Sequence, residues 1–245
     1  MVETINLSLS AVGVLGAQLN LDVRQYPFEF PPTGGTPEER DELTRRVWAE
    51  LESAGLASGG EPEPEVADAL YLMCSSEVSV AAAGLLDIRG GLRLAARAVS
   101  TGEVGVVGVI TAHGLRLDFM DPETLPEVCV RLLPRAPAGR GGPVRVPVEA
   151  LRMRARNTGE DRDTGPTEPE LLARAPKYRI GHFVVSGNEG EASRLPGIVW
   201  FDTEHGRYSM RRVDASEGEV LDCSPVDHRG LVAQLTDSLD RVRRN

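Results

Sequence analysis

Two spacings of apolar residues take turns along the chain, and the points where one gives way to the other mark its elements. Leu43, Val47, Leu51 and Ala54 recur at intervals of four, four and three, the signature of one helix face. Thr36 is placed to cap that helix, Pro37 suits its first position, and Glu39 completes a capping box. Asp41 with Arg45 and Glu42 with Arg46 pair acid before base on the outer side, and Gly55 ends the helix. A stiff aromatic approach, Tyr26-Pro27-Phe28 and Phe30-Pro31-Pro32, precedes it. Upstream, Thr4 to Leu7 suits a short strand, and Ser8 caps a helix whose Leu9, Val12, Gly16 and Leu19 share a face. Downstream, Glu63-Pro64-Glu65 opens a helix with Val66, Ala69, Leu70 and Met73 on one side.

From Glu77 the period drops to two. Val78, Val80 and Ala82 alternate with Ser79 and Ala81, Gly90-Gly91 turns the chain, and Leu92, Leu94, Ala96 and Ala98 return opposite Arg93 and Arg97. Past a turn at Thr101-Gly102, Val104 to Ile110 is apolar on both faces and reads as a central strand. His113-Gly114 then sends back Leu115, Leu117 and Phe119, so the short links predict an antiparallel meander. Leu125, Val128, Cys129 and Leu132 predict a helix starting at Pro122 or, capped by Thr124, one turn later. Residues 134–143 form a Pro/Gly loop, Val148, Leu151 and Ala155 a short helix, residues 157–169 a charged loop, and Glu170 to Arg174 a further helical turn.

Strand periodicity resumes with Tyr178, Ile180, His182 and Val184 alternating with Arg179, Gly181 and Phe183, and the polar run from Ser186 to Ser193 follows. Ile198 to Phe201 and a return carrying Tyr208 and Met210 opposite Arg207, Ser209 and Arg211 form a hairpin about Asp202 to Gly206. Val220 to Cys223 is a last strand. Ser224-Pro225-Val226-Asp227 repeats the cap pattern before a helix lined by Leu231, Leu235, Leu239 and Val242. Val66 to Leu133 and Glu170 to Arg243 thus share one order of helix, four strands and Pro-started helix. This near-repeat predicts a single α+β domain with internal pseudo-two-fold symmetry: a continuous, mostly antiparallel sheet flanked by two helical bundles. The halves would be residues 1–133 and 148–245, joined by a linker at 134–147.

A net charge of -10 and a pI near 5.0 argue against nucleic acid as a partner, since such binding rests on Lys and Arg neutralising phosphates. Cys74, Cys129 and Cys223 form no CxxC pair and sit on apolar stripes, as reduced core residues do. The apolar run from Leu7 to Leu21 follows Glu3 rather than a basic segment and is broken by Gln18 and Asn20. It predicts neither a signal sequence nor membrane insertion, and the chain reads as cytoplasmic. No GxGxxG, Walker A, GxSxG, HExxH or EF-hand pattern occurs, so no cofactor is expected. His182, Asp202, His205 and His228 are the one set from which a metal-assisted hydrolase could be assembled. A regulatory protein-binding module is the other alternative.

The order of a proline-aromatic entry, a Gly-Thr helix start with Glu-Arg, an Ala-Gly-Leu end and a second acidic helix resembles the EspG family of chaperones for ESX (type VII) secretion. Leu70-x-x-Met73 running into Glu77-Val78-Ser79-Val80 is similar to that family's entry into its first long strand. Leu132-Leu133-Pro134 is similar to the end of its first half, and Asp202-Thr203-x-x-Gly206-Arg207-Tyr208 to its late hairpin. The charged loop from Gly159 to Glu168 departs from the family's pattern. The resemblance implies a cytosolic, non-enzymatic chaperone, monomeric or weakly homodimeric. Its partner would be a secreted helical ESX substrate, a PE-PPE-like heterodimer or a related protein, kept soluble by capture of the helical tip. The surface implied is the sheet and the C-terminal helices, with strand-connecting loops as rim. Asp87, Ile88, Arg89, Ser186, Asn188, Glu189 and Arg194 are the candidate contacts.

Overall fold

The computed structural model describes residues 4–30, 35–149, 172, 175–187, 197–215 and 218–244. The predicted helix residues Leu151 and Ala155, the loop at 157–169, all of the turn at 170–174 except the helical Leu172, and candidates Asn188, Glu189 and Arg194 lie outside the described residues.

Strand β1 (Thr4–Leu7) leads into α1 (Leu9–Gln18), whose start is fixed by Ser8 Oγ accepting from the Ala11 amide. Helix α2 (Pro37–Ser53) opens with the predicted capping box: the Glu39 amide donates to Thr36 Oγ1, and the Thr36 and Gly35 amides donate to Glu39. Those two backbone donors hold the Glu39 carboxyl below its usual range. Val47 and Leu51 are buried as expected, but Ala54 is the exposed C-cap, one residue past the end of the buried stripe. In α1 the buried set is Ala11, Val12, Val14, Leu15 and Gly16, wider than the single face predicted from spacing. The reason is that α1 lies between the sheet and α2 and buries two sides. After a small ribbon, β2 (Ala57–Ser58) and β3 (Glu61–Pro62), α3 (Pro64–Cys74) buries Val66, Ala69, Leu70 and Met73.

The meander follows as β4 (Val78–Asp87), β5 (Leu92–Ser100), β6 (Gly105–Thr111) and β7 (Gly114–Met120). The next helix begins at Pro122, with a 3-10 turn at Pro122–Thr124 capped by Asp121, and continues as α4 (Leu125–Arg131); Thr124 makes no side-chain cap, its hydroxyl donating instead to the Asp121 carbonyl. Val144–Pro147, read as linker, is strand β8. It lies at a sheet edge, where Pro147 is tolerated. The second set is β9 (Arg179–Gly187), β10 (Ile198–Thr203), β11 (Gly206–Ala215), β12 (Gly218–Pro225) and α5 (His228–Arg244), where Asp227 Oδ1 accepts from the Gly230 amide.

All these strands except β2 and β3 form one sheet in the order β1-β7-β6-β5-β4-β9-β10-β11-β12-β8, with every pairing antiparallel. Its centre is the β4–β9 pair, and a pseudo-two-fold there relates β5-β6-β7-β1 to β10-β11-β12-β8. Gly84 and Gly181 are register partners at this junction. A Cβ on Gly84 would lie 2.4 Å from the Ile180 carbonyl oxygen, and one on Gly181 2.6 Å from the Trp200 indole. Only glycine admits both the strand pairing and the Trp200 ring.

Helices α4 and α5, one from each half, pack together on one face. There Leu125, Cys129, Leu231 and Leu235 meet Val80, Ala96, Phe183 and Trp200. On the opposite face α1, α2 and α3 cover Val99, Val106, Leu115 and Leu117. Of the two alternating sets in β9, Gly181, Phe183 and Val185 are buried toward α4 and α5, while Ile180, His182 and Val184 face the other way. Burial pushes the Cys129 thiol up to about 12 and the half-buried Cys74 and Cys223 to about 11, so all three are inert thiols.

Candidate functional site

Along most of the β4–β5 hairpin the apolar side chains are buried under α4 and α5, but at its tip they are exposed. Leu92, predicted to face the core with Leu94, is 59% exposed. The turn is locked by its own residues, with the Arg89 amide donating to Asp87 Oδ1 and Gly91 in the left-handed region. A register shift between Leu85 and Asp87 bends the end of β4. The Ile88 amide donates to the Tyr178 carbonyl, which brings the start of β9 alongside. Ile88, Leu92, Tyr178 and Ile180 are the exposed large apolar side chains here, flanked by Asp87, Arg89 and Arg93.

Tyr26 lies on the Ile180 side of the sheet, whereas Leu92 follows Leu94 onto the α4/α5 side. After a cis peptide bond to Pro27, Phe28 is buried in the N-terminal core, while the Tyr26 ring stacks on His182 and its hydroxyl bonds His182 Nε2 at 2.5 Å. Arg97 donates to the Tyr26 carbonyl at 3.3 Å. Partial burial lowers the proton affinity of His182, keeping it neutral and able to accept from the tyrosine. A groove of about 550 Å³ lies next to this strap, lined by Tyr26, Pro27, Ala83, Leu85, Ala95 and Arg93 among others.

Asp87, Ile88 and Arg89 are therefore together, and Ser186 is not with them. Ser186 pairs with Ser79, eight residues before Asp87 on β4, which separates it from the tip by about 25 Å at a strand rise of ~3.3 Å per residue. Leu92, Tyr178 and Ile180 were not singled out from sequence. The signal available was an apolar residue on each side of the Asp-Ile-Arg-Gly-Gly turn, which is unusual at a hairpin end.

The residues considered for a metal site are not assembled. His182 lies on the face opposite the one that carries Asp202, because Val199 rather than Asp202 is its register partner. Asp202 is committed to two arginines. Its Oδ1 accepts from Arg207 Nε at 2.6 Å, and its Oδ2 accepts from Arg207 at 2.9 Å and Arg179 at 3.1 Å. His205 sits in the β10–β11 turn, and His228 opens α5, where burial and the neighbouring Arg207 and Arg135 lower its proton affinity. Among the described residues no group of three His, Cys, Asp or Glu is placed to hold a metal ion. Among them, too, no helix is long and apolar enough to cross a membrane.

The fold is a broad antiparallel sheet of two related halves with helices on both faces, ending in a hairpin that exposes apolar side chains. The EspG family model matches residues 8–237, and the chain belongs to that family. Among solved structures it is similar to the Mycobacterium tuberculosis type VII secretion system chaperone EspG5, determined in complex with the PE25-PPE41 dimer. That likeness covers 97% of this chain and 96% of that one, with a TM-score of 0.69 at 13% identity. No curated protein matches.

Proposed function

We propose that the chain is a cytosolic, non-enzymatic chaperone of type VII secretion that binds the helical tip of a PE-PPE-like heterodimer and covers its apolar end until export. Family membership over residues 8–237 carries this reading, and the EspG5 complex with the PE25-PPE41 dimer gives the chemical class of the partner. The apolar end of the central strand pair supports a place for it. A helical tip needs a preformed apolar contact with a polar rim, since ordering a loose surface on binding would cost affinity. Tyr178 and Ile180 on one face of the sheet end, Leu92 on the other and Ile88 in the turn between them offer apolar contacts, and Asp87, Arg89 and Arg93 a polar rim.

The test is co-expression with a helical PE-PPE-like pair encoded near this gene, followed by purification through a tag on the chaperone and size-exclusion chromatography. A soluble ternary complex is expected without added nucleotide or metal. Failure to form a complex with any candidate ESX heterodimer, while the protein itself is folded, would overturn the assignment.

A further inference from the structure

The geometry points to Arg179 as a positioning residue that sets the β4–β5 tip for docking, an inference that rests on the binding role proposed for that tip. Arg179 opens β9, yet its side chain works in two directions. Nε donates to the Leu86 carbonyl at 3.1 Å, and Nη1 donates to Asp202 Oδ2 at 3.1 Å. Leu86 is the residue at which the β4–β5 register shifts, so it stands where the ladder is irregular and the hairpin bends. A guanidinium bonded to that carbonyl therefore ties down the hinge of the tip.

The other end of the strap is anchored in the buried core. Asp202 is 3% exposed, and both of its oxygens are held by Arg207, which is 0% exposed. Arg207 also donates to the Pro134 carbonyl at 2.8 Å and stacks its guanidinium over the Trp200 ring. A second, main-chain connection runs beside the first. The Tyr178 amide donates to the Asp202 carbonyl at 2.9 Å, and the Ile88 amide donates to the Tyr178 carbonyl at 3.0 Å. Strand β10 thus holds the tip twice, once through the backbone of Tyr178 and once through the side chain of Arg179. An arginine is needed for the second path, because its planar fork can serve a carbonyl and a carboxylate together, whereas the single ammonium of a lysine cannot span both.

Arg179→Ala and Arg179→Lys, in the full chain, test this by amide hydrogen exchange and by affinity for the PE-PPE-like heterodimer that the wild type captures. Exchange at the Ile88 and Arg89 amides is expected to quicken at least tenfold in both variants, with the strand centre at Val80 and Ala82 unchanged, and affinity is expected to fall at least tenfold. Unchanged exchange at the tip, or full rescue by lysine, would overturn the inference. So would a loosened tip that binds as tightly as wild type. If the wild type captures no such heterodimer, the proposed function fails on its own, and unchanged or lysine-rescued tip exchange would still refute the positioning role.

Discussion

Removing the Asp202 carboxylate is the most informative single change, because it leaves a fully buried arginine without its counter-ion. Arg207 has 0% exposure and no other acidic partner among the described residues; its remaining contacts are the Pro134 carbonyl and the Trp200 ring. Breaking a buried ion pair from one side costs about 3–5 kcal/mol, since the surviving charge keeps its desolvation penalty and loses its compensation. For a chain of this size each kcal/mol shifts the midpoint of thermal unfolding by about 2–4 °C, so Asp202→Ala should lower it by roughly 6–20 °C. The converse change, Arg207→Met, should cost less, because Asp202 retains Arg179, whose side chain is 34% exposed and already solvated. Removing both partners, Asp202→Ala with Arg207→Met, should cost less than the sum of the two single changes. Thermal and urea unfolding of the three variants measure these shifts. A cost below about 1 kcal/mol for Asp202→Ala, within the range of surface ion pairs, would refute the reasoning.

Leu51→Ala should destabilise the protein by about 2–5 kcal/mol in urea unfolding, since Leu51 is a buried member of the N-terminal core. A cost near zero would mean that α2 is not packed as described. His182 should titrate below its ordinary value of 6.5, because burial disfavours the imidazolium. With the folded value lowered, the stability linked to it is present above the unfolded value and is lost as pH falls below about 6.5. An NMR midpoint at or above 6.5, or stability that rises on acidification through the linked histidine, would contradict this.

What the sequence disclosed depended on how many faces of each element are buried. Helices α2 and α3 were legible because each carries one apolar stripe and a chemical start signal, Thr36 and Pro64; α5 was legible from its stripe, but its cap is Asp227 rather than Ser224, which belongs to β12 and donates to Asp222. Helix α1 was legible in place but not in facing, since burial on two sides widens the stripe beyond one period. Arg207 shows the opposite failure. It alternates with Tyr208 and so reads as solvent-facing, but Tyr208 is buried at 4% exposure as well, and β11 at that point has no wet face. An alternating pattern cannot reveal a buried arginine whose partner, Asp202, also looks like a turn residue. Strand β8 was missed because the alternation of Val144 and Val146 with Arg145 is too short to stand out between Pro143 and Pro147, and only pairing with β12 defines it. The candidate tip was half legible: Asp87, Ile88 and Arg89 mark a hairpin turn in sequence, whereas Tyr178 and Ile180 join them only through the β4–β9 pairing.

The pseudo-two-fold gives the molecule two topologically equivalent ends, and the proposed docking surface uses one of them. The β4–β5 connection lies at one end of the central strand pair, and β9 ends at the other with Gly187 opposite Val78, about 30 Å away along strands that rise ~3.3 Å per residue, before the β9–β10 connection follows in sequence. Their sequences differ in kind. The first is Asp-Ile-Arg-Gly-Gly-Leu, with apolar residues exposed on both sides of the turn, whereas the second contains Asn188, Glu189, Glu191 and Arg194. An apolar helical tip should therefore engage the first end. Arg89→Glu reverses a charge on its rim without touching the β4–β5 ladder, so the folded protein should keep its unfolding midpoint while the affinity for the heterodimer falls. Deletion of residues 188–192 alters the other end and should leave that affinity within a few-fold of wild type. Binding lost on the deletion and kept in Arg89→Glu would move the docking surface to the far end of the sheet, and loss in both would mean that the partner spans the two.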